Sequence, residues 1–327
     1  DAFTLDAILI PDFGQTKYDD QILNLGPFEQ EFNENRPFFT EGTDLFSKGN
    51  LVYSRRIGGN PTYNPADNEA IIDGPANVNL INALKVSGRT KDGLGIGILN
   101  AVTEKTFGTI LNNDTQETRR AVLEPLANYN VLVLDQRFRK NSSVTFVNTN
   151  VIRNGDFRDA NVSALVWDLN TKKNTYNLSG DLKYSYVNDL EDKKGIATTL
   201  NFSETSGKYR YSFGGDLYTK DFDNNDLGIN FETNYFSIYG NANYRILNPT
   251  KYFNSFRLNY NNFIQFQKET GKIQGNNFNV NVNLENKKNN FFGLGINVNP
   301  FENYNYYEPR TENRYVITPT QFGGWFY

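Results

Sequence analysis

Residues 277–284 read Asn-Phe-Asn-Val-Asn-Val-Asn-Leu. Every second side chain is apolar (Phe278, Val280, Val282, Leu284), and every one between is asparagine. A period of two belongs to a pleated strand with two unlike faces. The same alternation governs residues 175–186, where Tyr176, Leu178, Gly180, Leu182, Tyr184 and Tyr186 oppose Thr175, Asn177, Ser179, Asp181, Lys183 and Ser185. Residues 208–217, 234–246 and 255–266 follow it too. Several of these segments exceed the roughly 5–6 residues of a soluble strand and suit a tilted strand crossing a bilayer.

The connections carry a second regularity. Short ones at residues 89–93, 139–142, 170–174, 205–208 and 285–289 are rich in Gly, Asn, Asp and Ser, as tight hairpins require. Longer polar stretches separate them at residues 103–128, 153–160, 188–195, 220–228 and 268–276. Bacterial membrane barrels show this asymmetry, with short periplasmic turns and longer outer loops. Aromatics gather at segment ends (Tyr184, Tyr186, Tyr244, Tyr252, Phe253, Tyr304, Tyr306, Tyr307), where an interfacial girdle places them. Ordinary β propensity also favours Tyr and Phe, but it does not favour ends.

Composition supports this reading and excludes others. Apolar residues are 38% of the 327, yet 26 Phe and 20 Tyr bring aromatics to 15%, against disorder. No apolar run approaches the roughly 18–20 residues of a spanning helix; Val131-Leu132-Val133-Leu134 and Ala164-Leu165-Val166-Trp167 stop at four. A barrel strand needs apolar residues only at alternate positions, so low mean hydropathy is no objection. Absent cysteine excludes disulfides and thiolate metal sites, and absent histidine removes the commonest general base, and with it the usual Ser–His arrangement. A net charge of −4 gives no reason to expect nucleic acid as a partner.

The first 80 residues differ. Residues 21–51 alternate little and concentrate charge of both signs. Within these first 80 residues, Ile10-Pro-Asp-Phe-Gly-Gln15, Asn24-Leu-Gly-Pro-Phe-Glu29, Asn33-Glu-Asn-Arg-Pro-Phe-Phe-Thr-Glu-Gly42 and Tyr53-Ser-Arg-Arg-Ile-Gly58 together carry a resemblance. With Asp135-Gln136, Asn148-Thr-Asn150 and Tyr307-Glu-Pro-Arg310, it extends over nearly the whole chain. The sequence resembles the barrel region of the Bacteroidota outer-membrane proteins grouped as DUF5916. The resemblance implies a bacterial outer-membrane location. It also implies a preceding domain similar to family 9 carbohydrate-binding modules, so any carbohydrate contact made there does not fall to these residues. The family has no established activity to transfer.

The expectation is therefore an all-β, transmembrane, antiparallel up-and-down β-barrel of about 14 strands, incomplete in this chain. Residues 1–80 are expected to supply the first barrel strands with an inward-folded or loop segment at about 21–51, and residues 81–327 the hairpins. The ending Trp325-Phe326-Tyr327 reads as the opening of a further strand, so continuation beyond 327 is expected. Glu31, Glu34, Arg36, Glu41, Arg55 and Arg56 are expected to form a structural charge network bracing a polar lumen, ahead of substrate contact or paired-carboxylate catalysis. Asp221, Asp223 and Asp226, before Gly228, look faintly like a calcium loop with Glu232 the only acidic residue in phase for its far end; a strand-to-strand loop is the plainer reading. Gly93-Leu-Gly-Ile-Gly97 is a strand with small side chains, since no helix follows it.

No cofactor and no catalysis are expected. The role is structural, transport or anchoring, in contact with outer-membrane lipid. The alternative is an interaction subunit of a larger outer-membrane assembly, or a carrier for a sugar-binding domain.

Overall fold

The computed structural model describes residues 2–11, 23–311 and 313–327. The motif residues 12–15, with Gln21 and Ile22 of the charged segment, lie outside the described residues. The chain is all-β. The first half contributes β1 (Ala2–Leu9), β2 (Glu69–Asp73), β3 (Leu80–Arg89), β4 (Leu94–Thr103), β5 (Thr106–Asn112), β6 (Thr118–Glu124), β7 (Ala127–Phe138) and β8 (Ser142–Arg153). Long strands follow: β9 (Asp159–Asn170), β10 (Tyr176–Asn188), β11 (Lys193–Glu204), β12 (Tyr209–Tyr218), β13 (Tyr235–Ile246), β14 (Phe253–Gln267), β15 (Ile273–Asn286) and β16 (Phe291–Asn299). Three short ones close the chain, β17 (Asn303–Asn305), β18 (Val316–Thr318) and β19 (Gln321–Phe326).

Fourteen of these strands form one antiparallel sheet in the order β1-β3-β4-β7 through β16-β19, nearly every strand pairing with its successor. This is the up-and-down order of a transmembrane barrel wall. The sheet is open between its edges, β1 and β19. Of the described residues before 80, only β1 joins it; β2 belongs to a separate three-stranded sheet with β5 and β6. That small sheet occupies what the sequence presents as one long loop at 103–128. Three other stretches expected as longer loops are tight: β8 ends at Arg153 and β9 starts at Asp159, β10 ends at Asn188 and β11 starts at Lys193, and β14 ends at Gln267 with β15 starting at Ile273.

The two faces are inverted relative to a soluble protein. Leu182 is 50% exposed, while its neighbour Lys183 is 6% exposed. Leu84, Ile98, Phe146, Leu165, Ile196, Leu200, Phe213, Ile238, Val280 and Leu294 are exposed on the same outer face, which runs from β3 to β16. Apolar side chains turned outward from so many consecutive strands make the surface that acyl chains cover.

The apolar belt slants across the strands. Cross-strand partners of Tyr176, at the start of β10, run through Glu204, Tyr211, Ala242 and Tyr260 to Val280, in the middle of β15. The belt therefore slides along the strands from one side of the sheet to the other, as tilted, sheared strands require. Outward aromatics near the short turns pack on one another: Tyr209 stacks on Tyr244 at 4.7 Å and Phe202 on Tyr176 at 5.9 Å, while Phe213 lies tilted against Phe202 at 5.4 Å. They form a girdle at that end.

Candidate functional site

The inner face changes character along the sheet. On β3, β4 and β7 to β9 it carries Ala83, Leu99, Ala101, Val131, Val133, Val147, Val151, Val162 and Ala164, all buried. They are buried by the chain's own residues 36–58, which supply Phe39, Leu45, Phe46, Leu51 and Ile57, and by the loop after β12, which supplies Phe222 and Leu227. The covering segment has a short helix, α1 (Pro37–Thr40), and two 3-10 turns, Lys48–Asn50 and Ser54–Arg56. Proline at the first helical turn and the loss of alternation explain why this stretch folds inward as turns rather than as strands.

The segment enters from the long-loop end, where β1 finishes, and reaches nearly to the short turns. Gly95 and Gly97 near the start of β4 have no side chain, and Leu45 and Phe46 occupy that room. A Cβ at Gly97 would lie 3.3 Å from both. Gly195 does the same for the loop after β12, since a Cβ there would strike the Phe222 backbone at 2.1 Å.

Polar anchors hold the segment. Glu34 and Arg36 pair at 2.7 Å, and Ser54 Oγ donates to Glu34 Oε2 at 2.6 Å. Arg36, 7% exposed, also donates to the carbonyls of Ile57 (2.6 Å) and Ser54 (2.8 Å) and lies 4.4 Å over the Phe39 ring. Burial pushes the Glu34 carboxyl up, but the Arg36 guanidinium and the Ser54 hydroxyl outweigh it, holding the group below its usual range. Arg55 donates to the Asn33 carbonyl at 2.6 and 3.0 Å. Arg56 grips both oxygens of Glu29 and reaches the Gly228 carbonyl at 3.1 Å.

Of the six residues singled out by charge, Glu34, Arg36, Arg55 and Arg56 thus hold the segment's turns together. Glu31 and Glu41 are exposed, and their carboxylates stand apart. Glu41 takes part through its backbone. Lys85 of β3, 1% exposed, donates from Nζ to the carbonyls of Phe38 and Glu41, both at 2.6 Å, with Asp6 of β1 at 3.5 Å. A lysine on the carbonyl end of a helical turn satisfies acceptors that the helix leaves free. Sequence reasoning missed Lys85, which looks like any polar residue in an alternating strand.

A second charged cluster sits where the long loops meet the barrel. Arg153, at the end of β8, donates to Asp226 at 2.8 Å and faces Glu124 at 3.5 Å. Arg158 binds Asp226 at 2.6 Å and Asp223 at 2.7 Å. Burial would raise the Asp223 carboxyl, but Arg158 and the backbone N–H of Asn225 pull it below its usual range. Two of the three calcium candidates are therefore engaged by guanidinium groups; Asp221 is exposed beside them. Among the described residues no group of three or more acidic side chains is disposed to hold a metal. The only sequence signal for this cluster was the local density of aspartate.

From β13 to β16 the inner face is left open and lined by amides. Asn241 donates to Asn261 at 2.5 Å, Asn261 to Asn279 at 2.7 Å, Asn281 to Asn279 at 2.9 Å, and Asn277 to Asn297 at 2.7 Å. Toward the short turns the same face continues with Arg245, Arg257 and Glu285, so the amide stretch gives way to charged residues there.

Apolar outside, polar or self-covered inside, and strands joined up and down: the molecule is of the transmembrane β-barrel class. The chain belongs to the family described as Domain of unknown function (DUF5916), which matches residues 1–327. No curated protein matches it. Among solved structures it is similar to Pseudomonas aeruginosa OccK5 (OpdH), at 12% identity and TM-score 0.35, over 76% of this chain and 71% of that one. It is also similar to a BenF-like porin from Pseudomonas fluorescens Pf-5, at 10% identity and TM-score 0.34, over 84% and 80% of the two chains. Both likenesses are distant.

Proposed function

We propose that the protein is a bacterial outer-membrane conduit for polar solutes, non-catalytic, whose lumen is half filled by its own residues 36–58. The observation that carries this reading is the division of the inner face. One half is sealed by the inserted segment, and the other keeps an asparagine-rich wall that no described residue covers. A barrel meant only as an anchor gains nothing from an uncovered polar lumen. The residues at 29, 34, 36, 55, 56 and 85 act as a brace that keeps the segment seated. The role requires no cofactor and no nucleic acid.

Reconstitution of the full chain in planar bilayers tests it. Discrete, small conductance that rises when the segment is loosened supports the reading, and silent bilayers containing folded protein refute it.

A second reading, as a subunit of an outer-membrane assembly, draws on the three-stranded sheet at the long-loop end. There Ile71 (43%), Ile72 (53%) and Phe107 (39%) are exposed outside the barrel wall. A second polypeptide present in fixed proportion after gentle extraction would favour it.

A further inference from the structure

The open half of the lumen ends, on the long-loop side, in a recess assembled from four separate parts of the chain. Two adjoining cavities, of about 70 and 270 Å³, share Phe28 and Glu232. Phe28 comes from the segment ahead of α1, Glu232 from the loop before β13, Gln265 and Gln274 from β14 and β15, and Tyr307 from beyond β17.

The recess has an aromatic wall and a hydrogen-bonding wall. Phe28 lies 5.5 Å from Phe231 and 5.2 Å from Tyr307, centroid to centroid. Opposite, Gln265 Nε2 donates to Glu232 Oε2 at 2.9 Å and to Gln274 Oε1 at 3.2 Å. The aromatic side is built to stay: Arg310 donates to the Gly26 carbonyl at 3.0 Å, Asn24 closes a turn onto the Phe28 carbonyl at 2.6 Å, and Tyr307 and Thr233 exchange two hydrogen bonds at 3.0 and 3.1 Å. Below Gln265 the same strand face carries Phe263 and then Asn261, so the recess runs into the asparagine wall.

From this we infer that the recess binds a neutral saccharide, whose hydroxyl groups then meet the asparagine wall. Each sugar hydroxyl is both donor and acceptor, and a primary amide offers two donors and two lone pairs, so one amide serves a hydroxyl in either sense. Glu232 accepts only, and suits a hydroxyl donor. The C–H face of a pyranose covers an aromatic ring, as Phe28, Phe231 and Tyr307 require. An apolar ligand would strip water from Glu232, Gln265 and Gln274 without replacing their hydrogen bonds. An anionic ligand would meet a carboxylate with no cation among the described residues that line the recess. The inference rests on the conduit reading only for what happens beyond the recess.

The test uses the full chain folded in detergent, titrated calorimetrically with maltohexaose and cellohexaose as neutral probes and hexagalacturonate as the charged one. Saturable binding of a neutral hexasaccharide, at least about tenfold tighter than hexagalacturonate, is expected, a difference of about 1.4 kcal/mol. Phe28→Ala and, independently, Gln274→Leu are each expected to weaken it about tenfold, with heat-modifiable gel migration showing that each variant is folded. No binding of either neutral probe, tighter binding of hexagalacturonate, or wild-type binding by both folded variants overturns the site. Bilayer recordings with the same probes separate the two proposals. Binding without conductance keeps the site and removes the conduit; conductance without binding keeps the conduit and removes the site.

Discussion

Arg153 at the end of β8 and Asp226 in the loop after β12 are 73 residues apart in sequence, yet their side chains meet at 2.8 Å with 6% and 5% of their surface exposed. The pair ties the loop that carries Phe222 and Leu227 to the barrel wall, and so helps seal the covered half of the lumen. Arg153→Ala would leave Asp226 and Glu124 buried with one partner fewer, which costs on the order of 3–5 kcal/mol for a buried pair. The folded, fast-migrating band is expected to melt at a markedly lower temperature. Arg158→Ala, at a more exposed position, is expected to cost less.

The lipid face gives a prediction with its own control. Lysine at Leu182 or Val280, both outward and exposed, is expected to destabilise the barrel by about 2–4 kcal/mol near the bilayer centre. Lysine at Asn279, the neighbour of Val280 on the inner face, is expected to be tolerated. Urea unfolding in lipid vesicles measures both. Equal losses would show that the alternation does not separate lipid from lumen.

Seating of the inserted segment is open to proteolysis. Arg36 is buried, and its carboxylate partner and two carbonyl acceptors all lie within residues 34–57. The Arg36–Pro37 bond resists trypsin in any state, so the readout is cleavage after Arg55 and Arg56, which is expected to be slow in intact folded membranes and quick in Lys85→Met, which frees the carbonyls of Phe38 and Glu41. Rapid cleavage in the wild type would mean that the segment is an exposed loop.

Acid is expected to loosen the same seal. Glu34 and Asp223 have carboxyls held below their usual range, so each contributes stability that is fully present above the ordinary carboxylate values of about 4.3 and 3.9. That contribution is lost as pH falls through the lowered folded values. Conductance should therefore be flat from neutral pH down to about 5 and rise only at lower pH. Glu34→Gln, which removes one of the two titrating groups, should blunt the rise. A transition near neutrality would exclude these carboxylates as its cause.

Much of the wall was legible because its signal is local. In residues 277–284 each side chain's face is set by its parity alone, and the register of β15 against β14 and β16 keeps that parity across the sheet. The antiparallel order and the 14 strands of the main sheet followed from the same regularity, whereas the family likeness rested on separate short motifs, most of them ahead of β3. Where the alternation fails, the sequence falls silent for a physical reason. Val131-Leu132-Val133-Leu134 is apolar on both faces because lipid meets Leu132 and Leu134 while the inserted segment meets Val131 and Val133. No neighbour in sequence announces the second partner.

The charged residues divide the same way. Density of charge drew attention to residues 29–56 but could not separate Glu34, which Arg36 and Ser54 hold, from Glu31 and Glu41, whose carboxylates point to solvent. Nor could it find Lys85, Arg153 or Asp226. Pairing over long sequence separations depends on which loops fold back into the lumen, and that is decided by packing. The sequence by itself determined a strand-built membrane wall, because strand period and face polarity are written residue by residue. Only the tertiary structure decided which part of the inner face residues 36–58 cover and which amide-rich part no described residue covers, because burial is a property of what comes to cover a face.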